Sequence, residues 1–104
     1  MQQITALKLA ENLKATKVQL VDVREPHEWQ QAHIAGAKHI PLGQLPDRLE
    51  ELRRGEEVVC YCKMGGRSAN ACALLSAAGF ANVTNLEGGI VAWGRDVDPT
   101  MPPF

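Results

Sequence analysis

Val58-Val59-Cys60-Tyr61-Cys62-Lys63-Met64-Gly65-Gly66-Arg67-Ser68 runs from an unbroken apolar segment into a glycine-bearing turn with no spacer between them. Four successive apolar residues, two of them β-branched, predict a strand buried on both faces, and both glycines predict a loop directly after it. Ser68 to Ala78 is then rich in alanine and leucine and is closed by Gly79, so the loop should open straight into a helix. A buried strand followed at once by a helix is the building block of a parallel sheet, because parallel strands need crossover connections.

The flanking sequence repeats that pattern. Upstream, Val18 to Val23 is a short apolar run stopped by Glu25-Pro26, which predicts a second buried strand with Asp22 and Arg24 at its C-terminal end. Pro26 suits the first turn of a helix through Gln30, Ile34-Ala35-Gly36 marks a turn, and Lys38-His39-Ile40 is a very short strand closed by Pro41. Ile4 to Lys14 brings Leu7, Ala10 and Leu13 near one helical face, with Thr5 as N-cap. From Leu42 to Arg54 the spacing of Leu45, Leu49 and Leu52 predicts an amphipathic surface helix ending at Gly55. Downstream, Val83 to Leu86 reads as a strand, and Gly88-Gly89 lead into a short helix through Trp93. The expected architecture is α/β: a mainly parallel central sheet with helices on both faces, in one domain spanning residues 1–104 with an irregular proline-rich tail from about 95 to 104. Ligands gather at the C-terminal edge of such sheets, where both Asp22-Val23-Arg24 and Cys62 to Arg67 fall.

Composition limits the function classes. The chain has 104 residues, 45% of them apolar and 22% charged, enough for one core. Its formal charge is −1, with both signs mixed along the chain, which gives no broad attraction to nucleic acid or anionic membrane. No apolar run approaches the ~20 residues that span a bilayer, and no basic-then-apolar leader precedes the domain. A cytoplasmic monomer is expected. Three cysteines, at 60, 62 and 72, form a sparse, odd set unlike a disulfide framework, so reduced thiols are expected.

Cys62 carries the chemistry. A cysteine between a strand end and a helix start lies close to unpaired backbone N–H groups and to the positive end of the helix dipole. Such surroundings lower a thiol pKa from about 8.5 into roughly the 3.5–7.5 range, each unit being worth about 1.4 kcal/mol for the anion. Gly65 and Gly66 let successive N–H groups curve into a nest for an anion, and Arg67 with Lys63 adds positive charge. Lys63, Met64, Gly65, Gly66 and Arg67 are therefore the candidate cradle around a nucleophilic sulfur. Such a cradle suits a small anionic sulfur donor: the thiolate attacks, the cradle holds the departing anion, Cys62 becomes a persulfide, and a thiol, cyanide or protein acceptor removes the outer sulfur in a two-step cycle. Asp22 and Arg24 are expected to pair and support the loops at this edge, as is Ser68.

Cys62-Lys63-Met64-Gly65-Gly66-Arg67-Ser68 resembles the Cys-x-x-Gly-x-Arg active-site loop of single-domain rhodaneses, the thiosulfate sulfurtransferase-like family. Asp22 to Trp29 and His33 to Ala37 through Ile40-Pro41 are similar to that family's N-terminal signature, and Glu87-Gly88-Gly89-Ile90-Val91-Ala92-Trp93 to its C-terminal one, so the likeness covers nearly the whole chain. The resemblance implies the rhodanese α/β fold, Cys62 as persulfide carrier and residues 63 to 67 as the anion-binding cradle, with no metal or cofactor. The segment Trp93 to Phe104 is also similar, more distantly, to the ends of rhodanese domains fused to ubiquitin-activating-like enzymes, a resemblance that implies a protein acceptor as the alternative to the expected reading, a proline-rich tail that packs on the surface.

Two other readings stay open. Cysteine-based phosphatases and arsenate reductases of the Cdc25 kind use an anion loop with five residues between cysteine and arginine, whereas four lie between Cys62 and Arg67. A carrier domain could instead take persulfide from a desulfurase and pass it to one protein. Cys60 and Cys72 are expected to pack as small hydrophobes, and Trp29 and Trp93 to lie in the core rather than serve as ligand platforms. The cysteines together with His27, His33 and His39 lack metal-ligand spacing. Nothing in the placement of Asp22, Glu25 and Glu28 selects acid–base catalysis over capping and pairing with Arg24.

Overall fold

A computed structural model describes residues 2–104. Five strands form one sheet: β1 (Gln2–Ile4), β2 (Gln19–Asp22), β3 (Lys38–His39), β4 (Val58–Tyr61) and β5 (Val83–Leu86). Their spatial order is β1-β5-β4-β2-β3, and every neighbouring pair is parallel. Four α-helices accompany them: α1 (Ala6–Ala15), α2 (Pro26–Gln31), α3 (Gly66–Ala77) and α4 (Gly89–Asp96). The α/β architecture expected from the strand–helix alternation is the one observed.

Side chains alternate across the sheet, so the buried strands feed two cores. Val21, Val23, Val58, Cys60 and Cys62 face Ala71, Cys72 and Leu75 of α3, while Leu20, Val59, Tyr61 and Leu86 face Leu9 of α1 and Ile90 and Trp93 of α4. Covering both faces explains why β2, β4 and β5 are buried at all four positions. Thr5 caps α1, its Oγ1 accepting the Lys8 N–H at 3.2 Å.

Four expectations need correction. The helix over 42–54 does not form; two 3-10 turns, Leu42–Asp47 and Leu49–Glu51, replace it. Pro46 lies inside the first turn, where it lacks an N–H and disfavours the α conformation at Leu45, and Arg48 breaks the path at φ −126°, ψ 21°. Leu45 and Leu52 are buried nonetheless, so the leucine spacing reported the buried face correctly and the helix type wrongly. Strand β1 was not anticipated: it is a three-residue edge strand without an apolar pattern, held by its parallel register with β5. Helix α4 runs on to Asp96, so the irregular tail starts two residues later than expected, and Val97, Met101 and Phe104 pack back onto the α1–α4 core. Trp93 is buried, but Trp29 is only half-buried and stacks on His33, with ring centroids 3.5 Å apart, and on His39 at 4.8 Å.

Candidate active site

Cys62 follows the last residue of β4, and α3 begins four residues later, so the intervening turn must reverse tightly at the C-terminal edge of the sheet. Gly65 makes that reversal at φ +115°, a left-handed conformation that side-chain-bearing residues avoid, and serves as N-cap of α3. Its N–H then points at the sulfur, 3.1 Å from Sγ, and the Ser68 N–H in the first turn of α3 lies 3.4 Å away. The Ser68 hydroxyl is 3.3 Å from Sγ. The turn is anchored from behind by α4, whose first amides receive the loop's carbonyls: Ile90 N–H donates to Cys62 O at 2.9 Å and Val91 N–H to Lys63 O at 3.2 Å. With those carbonyls turned away towards α4, the amides that follow them can face the sulfur.

The Cys62 residue is 2% exposed, and burial by itself disfavours its anion. Hydrogen bonds from the Ser68 hydroxyl and from the N–H groups of Ser68, Gly65 and Met64 outweigh that penalty, so the thiol titrates below its ordinary value of 9.0. The hydroxyl has a second claimant. Asn85 Oδ1 lies 2.5 Å from Ser68 Oγ, while the Asn85 amide donates through Nδ2 to Gly65 O at 3.1 Å, which turns Oδ1 towards the serine. One hydroxyl proton cannot serve both acceptors, so the three backbone amides are the constant donors and Ser68 the variable one.

The Arg67 guanidinium is engaged by a carboxylate of α2. Its Nη1 and Nη2 lie 2.6 and 2.8 Å from the two carboxylate oxygens of Glu28, a bidentate pair in which Glu28 is 18% and Arg67 37% exposed. Glu28 Oε1 also accepts the Glu25 N–H at 3.0 Å in a capping box at the start of α2. The Arg67 hydrogen bonds hold the Glu28 carboxyl down to about 2, against an ordinary 4.5. A depressed carboxylate stabilises the fold fully above its unfolded value, and the contribution fades as pH falls from 4.5 through about 2. Lys63 is exposed, and Met64 is 68% exposed at the loop tip.

Asp22 and Arg24 form a second, closed arrangement at the same sheet edge. Both are essentially buried, at 0% and 1% exposure. Arg24 Nε and Nη2 donate to the Asp22 carboxylate at 2.8–3.1 Å, and Nη2 reaches Ala32 O at 2.6 Å. The Arg24 guanidinium lies 5.7 Å from the Tyr61 ring centroid, and the Tyr61 hydroxyl accepts the Ile34 N–H at 3.1 Å. The pair thus braces the 32–40 segment and the end of β4, with no direct bond to the turn at 63–67. Among the described residues, no group of three or more His, Cys, Asp or Glu side chains comes together to hold a metal ion.

The profile of the rhodanese-like domain matches residues 5–96. The chain belongs to the rhodanese-like family. It is 40% identical over 102 residues to a sulfurtransferase of Allochromatium vinosum, spanning 97% of this chain and 95% of that one. It is 44% identical over 87 residues to the adenylyltransferase/sulfurtransferase MoeZ of Mycobacterium tuberculosis, covering 82% of this chain but only 22% of that protein. The crystal structure of a rhodanese-like domain protein from Staphylococcus aureus superposes with a TM-score of 0.87 at 36% identity, over 100% of this chain and 99% of that one.

Three residues of this rhodanese-like site escaped sequence reasoning in the roles they hold. A Cβ on Gly89, which sits at φ +61°, would fall on the backbone carbonyls of Cys62 and Lys63, so only glycine lets α4 approach the turn; in sequence the Gly88-Gly89 pair signals only a helix start. Asn85, 3% exposed on β5, secures both Gly65 and Ser68. A polar residue within an apolar strand was its one sequence signal. In sequence Glu28 reads only as a capping or Arg24-pairing carboxylate, because its partner Arg67 lies 39 residues away. Cys60 and Cys72 are buried and unoxidised beneath the site, and the hydrogen bond to Cys72, reinforced by burial, keeps Cys60 a neutral thiol.

Proposed function

We propose that this chain transfers sulfane sulfur through a persulfide on Cys62. The observation that carries the proposal is the ring of amides from Met64, Gly65 and Ser68 around a sulfur whose pKa they lower. Sulfurtransferase is the activity in the names of the Allochromatium and Mycobacterium relatives, and it agrees with this arrangement. In the first half-reaction the Cys62 thiolate attacks the outer sulfur of an anionic donor such as thiosulfate; the donor's S–S bond breaks and sulfite leaves with the electron pair. Cys62 then carries one additional sulfur. In the second, cyanide, a thiol or a protein nucleophile attacks that outer sulfur and the Cys62 thiolate is regenerated. Amides that stabilise the resting thiolate also stabilise it as the leaving group of the second step.

A second version, in which donor and acceptor are both proteins, draws support from Met64: a large apolar side chain left exposed beside the nucleophile suits contact with a partner surface better than contact with a small anion.

The test is peptide mass spectrometry after incubation with thiosulfate. The expected result is a gain of one sulfur atom on the Cys62 peptide, removed by cyanide with formation of thiocyanate. Cys62→Ser should abolish loading and turnover with an unchanged melting temperature; turnover by the serine variant, or sulfur found on Cys60 or Cys72 instead, rules the proposal out.

A further inference from the structure

The Arg67–Glu28 pair bears on which donor the loop accepts. Arg67 is the cation nearest in sequence to the first turn of α3, yet both of its terminal nitrogens are committed to one carboxylate. The charges acting on its guanidinium are, in descending weight, Glu28, Cys62 and Glu25. One guanidinium therefore faces two carboxylates and a thiolate, and the flank of the nest formed by α2 offers no net positive charge to an incoming anion. Lys63 is the other cation of the loop, and its exposure leaves it screened by solvent.

Sulfur donors differ in the charge that this flank must accommodate. Thiosulfate arrives as a dianion and departs as sulfite, also a dianion: Cys62–S⁻ plus S–SO₃²⁻ gives Cys62–S–S⁻ plus SO₃²⁻, the donor's S–S bond breaking with its electron pair retained by sulfite. A thiol persulfide carries at most one charge at the reacting sulfurs. Cys62–S⁻ attacks the outer sulfur of R–S–SH, giving Cys62–S–SH and R–S⁻, with the electron pair of the broken bond passing to the donor's inner sulfur.

We infer that Glu28 is a specificity-determining residue, which by occupying the Arg67 guanidinium biases the Cys62 site against dianionic donors and towards persulfides of thiols. The inference rests on the persulfide chemistry proposed above. Glu28 touches no reacting atom and acts through Arg67. Its carboxylate is held by the Glu25 N–H as well as by Arg67, so Glu28→Gln keeps its shape and its backbone hydrogen bond while removing one negative charge.

The experiment compares kcat/KM of the full chain for thiosulfate and for glutathione persulfide, each with cyanide as acceptor, in wild type and E28Q at low and high ionic strength. In E28Q, kcat/KM for thiosulfate should rise about fivefold at low salt and fall back as salt is added, as expected for one unmasked charge near a dianion. For glutathione persulfide it should change by no more than about twofold, since at most one charge lies at its reacting sulfurs. The double variant E28Q/R67Q, which restores the summed charge of the pair, should return the donor ratio to that of wild type. Equal loss with both donors would make Glu28 a brace for the loop and overturn the inference, as would a donor ratio in the double variant that stays with E28Q. Should E28Q not fold, the double variant decides alone: a ratio displaced from wild type towards thiosulfate overturns the inference. Failure of wild type to load sulfur on Cys62 from either donor would refute the persulfide proposal itself, and loading from both with an unmoved ratio in E28Q would refute only the role of Glu28.

Discussion

Two strand ends at the same edge of the sheet hold ionisable groups out of water, and they do so in opposite ways. At the end of β2, Asp22 and Arg24 neutralise each other, and Arg24 Nη2 also donates to the Ala32 carbonyl. After β4, the sulfur of Cys62 is held by N–H dipoles and has no countercharge of its own, because Arg67 is engaged by Glu28. A charge matched by an opposite charge is structural: it gains nothing by reacting. One held by dipoles stays nucleophilic, since amides lower the energy of the anion without bonding it irreversibly.

Breaking the brace should have the larger effect on stability. Arg24→Leu leaves the Asp22 carboxylate buried and unpaired and should destabilise the fold by about 3–5 kcal/mol, a large share of a domain's margin. Chemical denaturation checks this, and adding Asp22→Leu should recover part of the loss, because two apolar groups have no charge to satisfy. If Arg24→Leu changes the midpoint no more than an ordinary surface substitution, the two strand ends do not differ as described.

Gly89→Ala attacks the other strand end from behind. The new Cβ requires the carbonyls of Cys62 and Lys63 to move, so the amides facing Sγ lose their aim. Overpacking of this kind should cost about 1–3 kcal/mol of stability. Sulfur transfer should fall further than stability, by about a hundredfold, since misplacing reacting groups by about an ångström has that effect. Rates measured well below the melting temperature separate the two contributions.

Ser68→Ala is the smallest and sharpest probe. Following alkylation of Cys62 against pH, the wild-type midpoint should lie below 9.0 and that of the variant should move upwards, with turnover at neutral pH reduced about two- to tenfold, the worth of one hydrogen bond. An unmoved midpoint would assign the hydroxyl proton to Asn85 and leave the sulfur to the amides alone. The sign of the linked stability follows from the depressed value. The contribution of Cys62 is fully present above the unfolded pKa and is lost as pH falls through the folded one, so wild type should lose more stability than Ser68→Ala over that interval.

Local sequence determined most of the architecture and pointed to Cys62 as the proposed nucleophile. Val58 to Gly66 declares a buried strand, a turn and a helix start within nine residues, and such short-range patterns carry their own steric and hydrophobic instructions. The spacing of Leu45, Leu49 and Leu52 reported which side chains are buried but not the path between them, because Pro46 decides helix type against the periodicity. Strand β1 has no pattern of its own and exists through its pairing with β5. Only the tertiary structure decided the surroundings of Cys62: that Gly89 leaves room for the loop's carbonyls against α4, that Asn85 and the sulfur share one serine, and that Glu28 occupies Arg67. Each of these contacts joins residues 17 to 39 positions apart, apart from the covalent chain's own turn, and no periodicity records them. A hydrogen bond depends on distance and direction in space, and those are set by how the strands are ordered in the sheet.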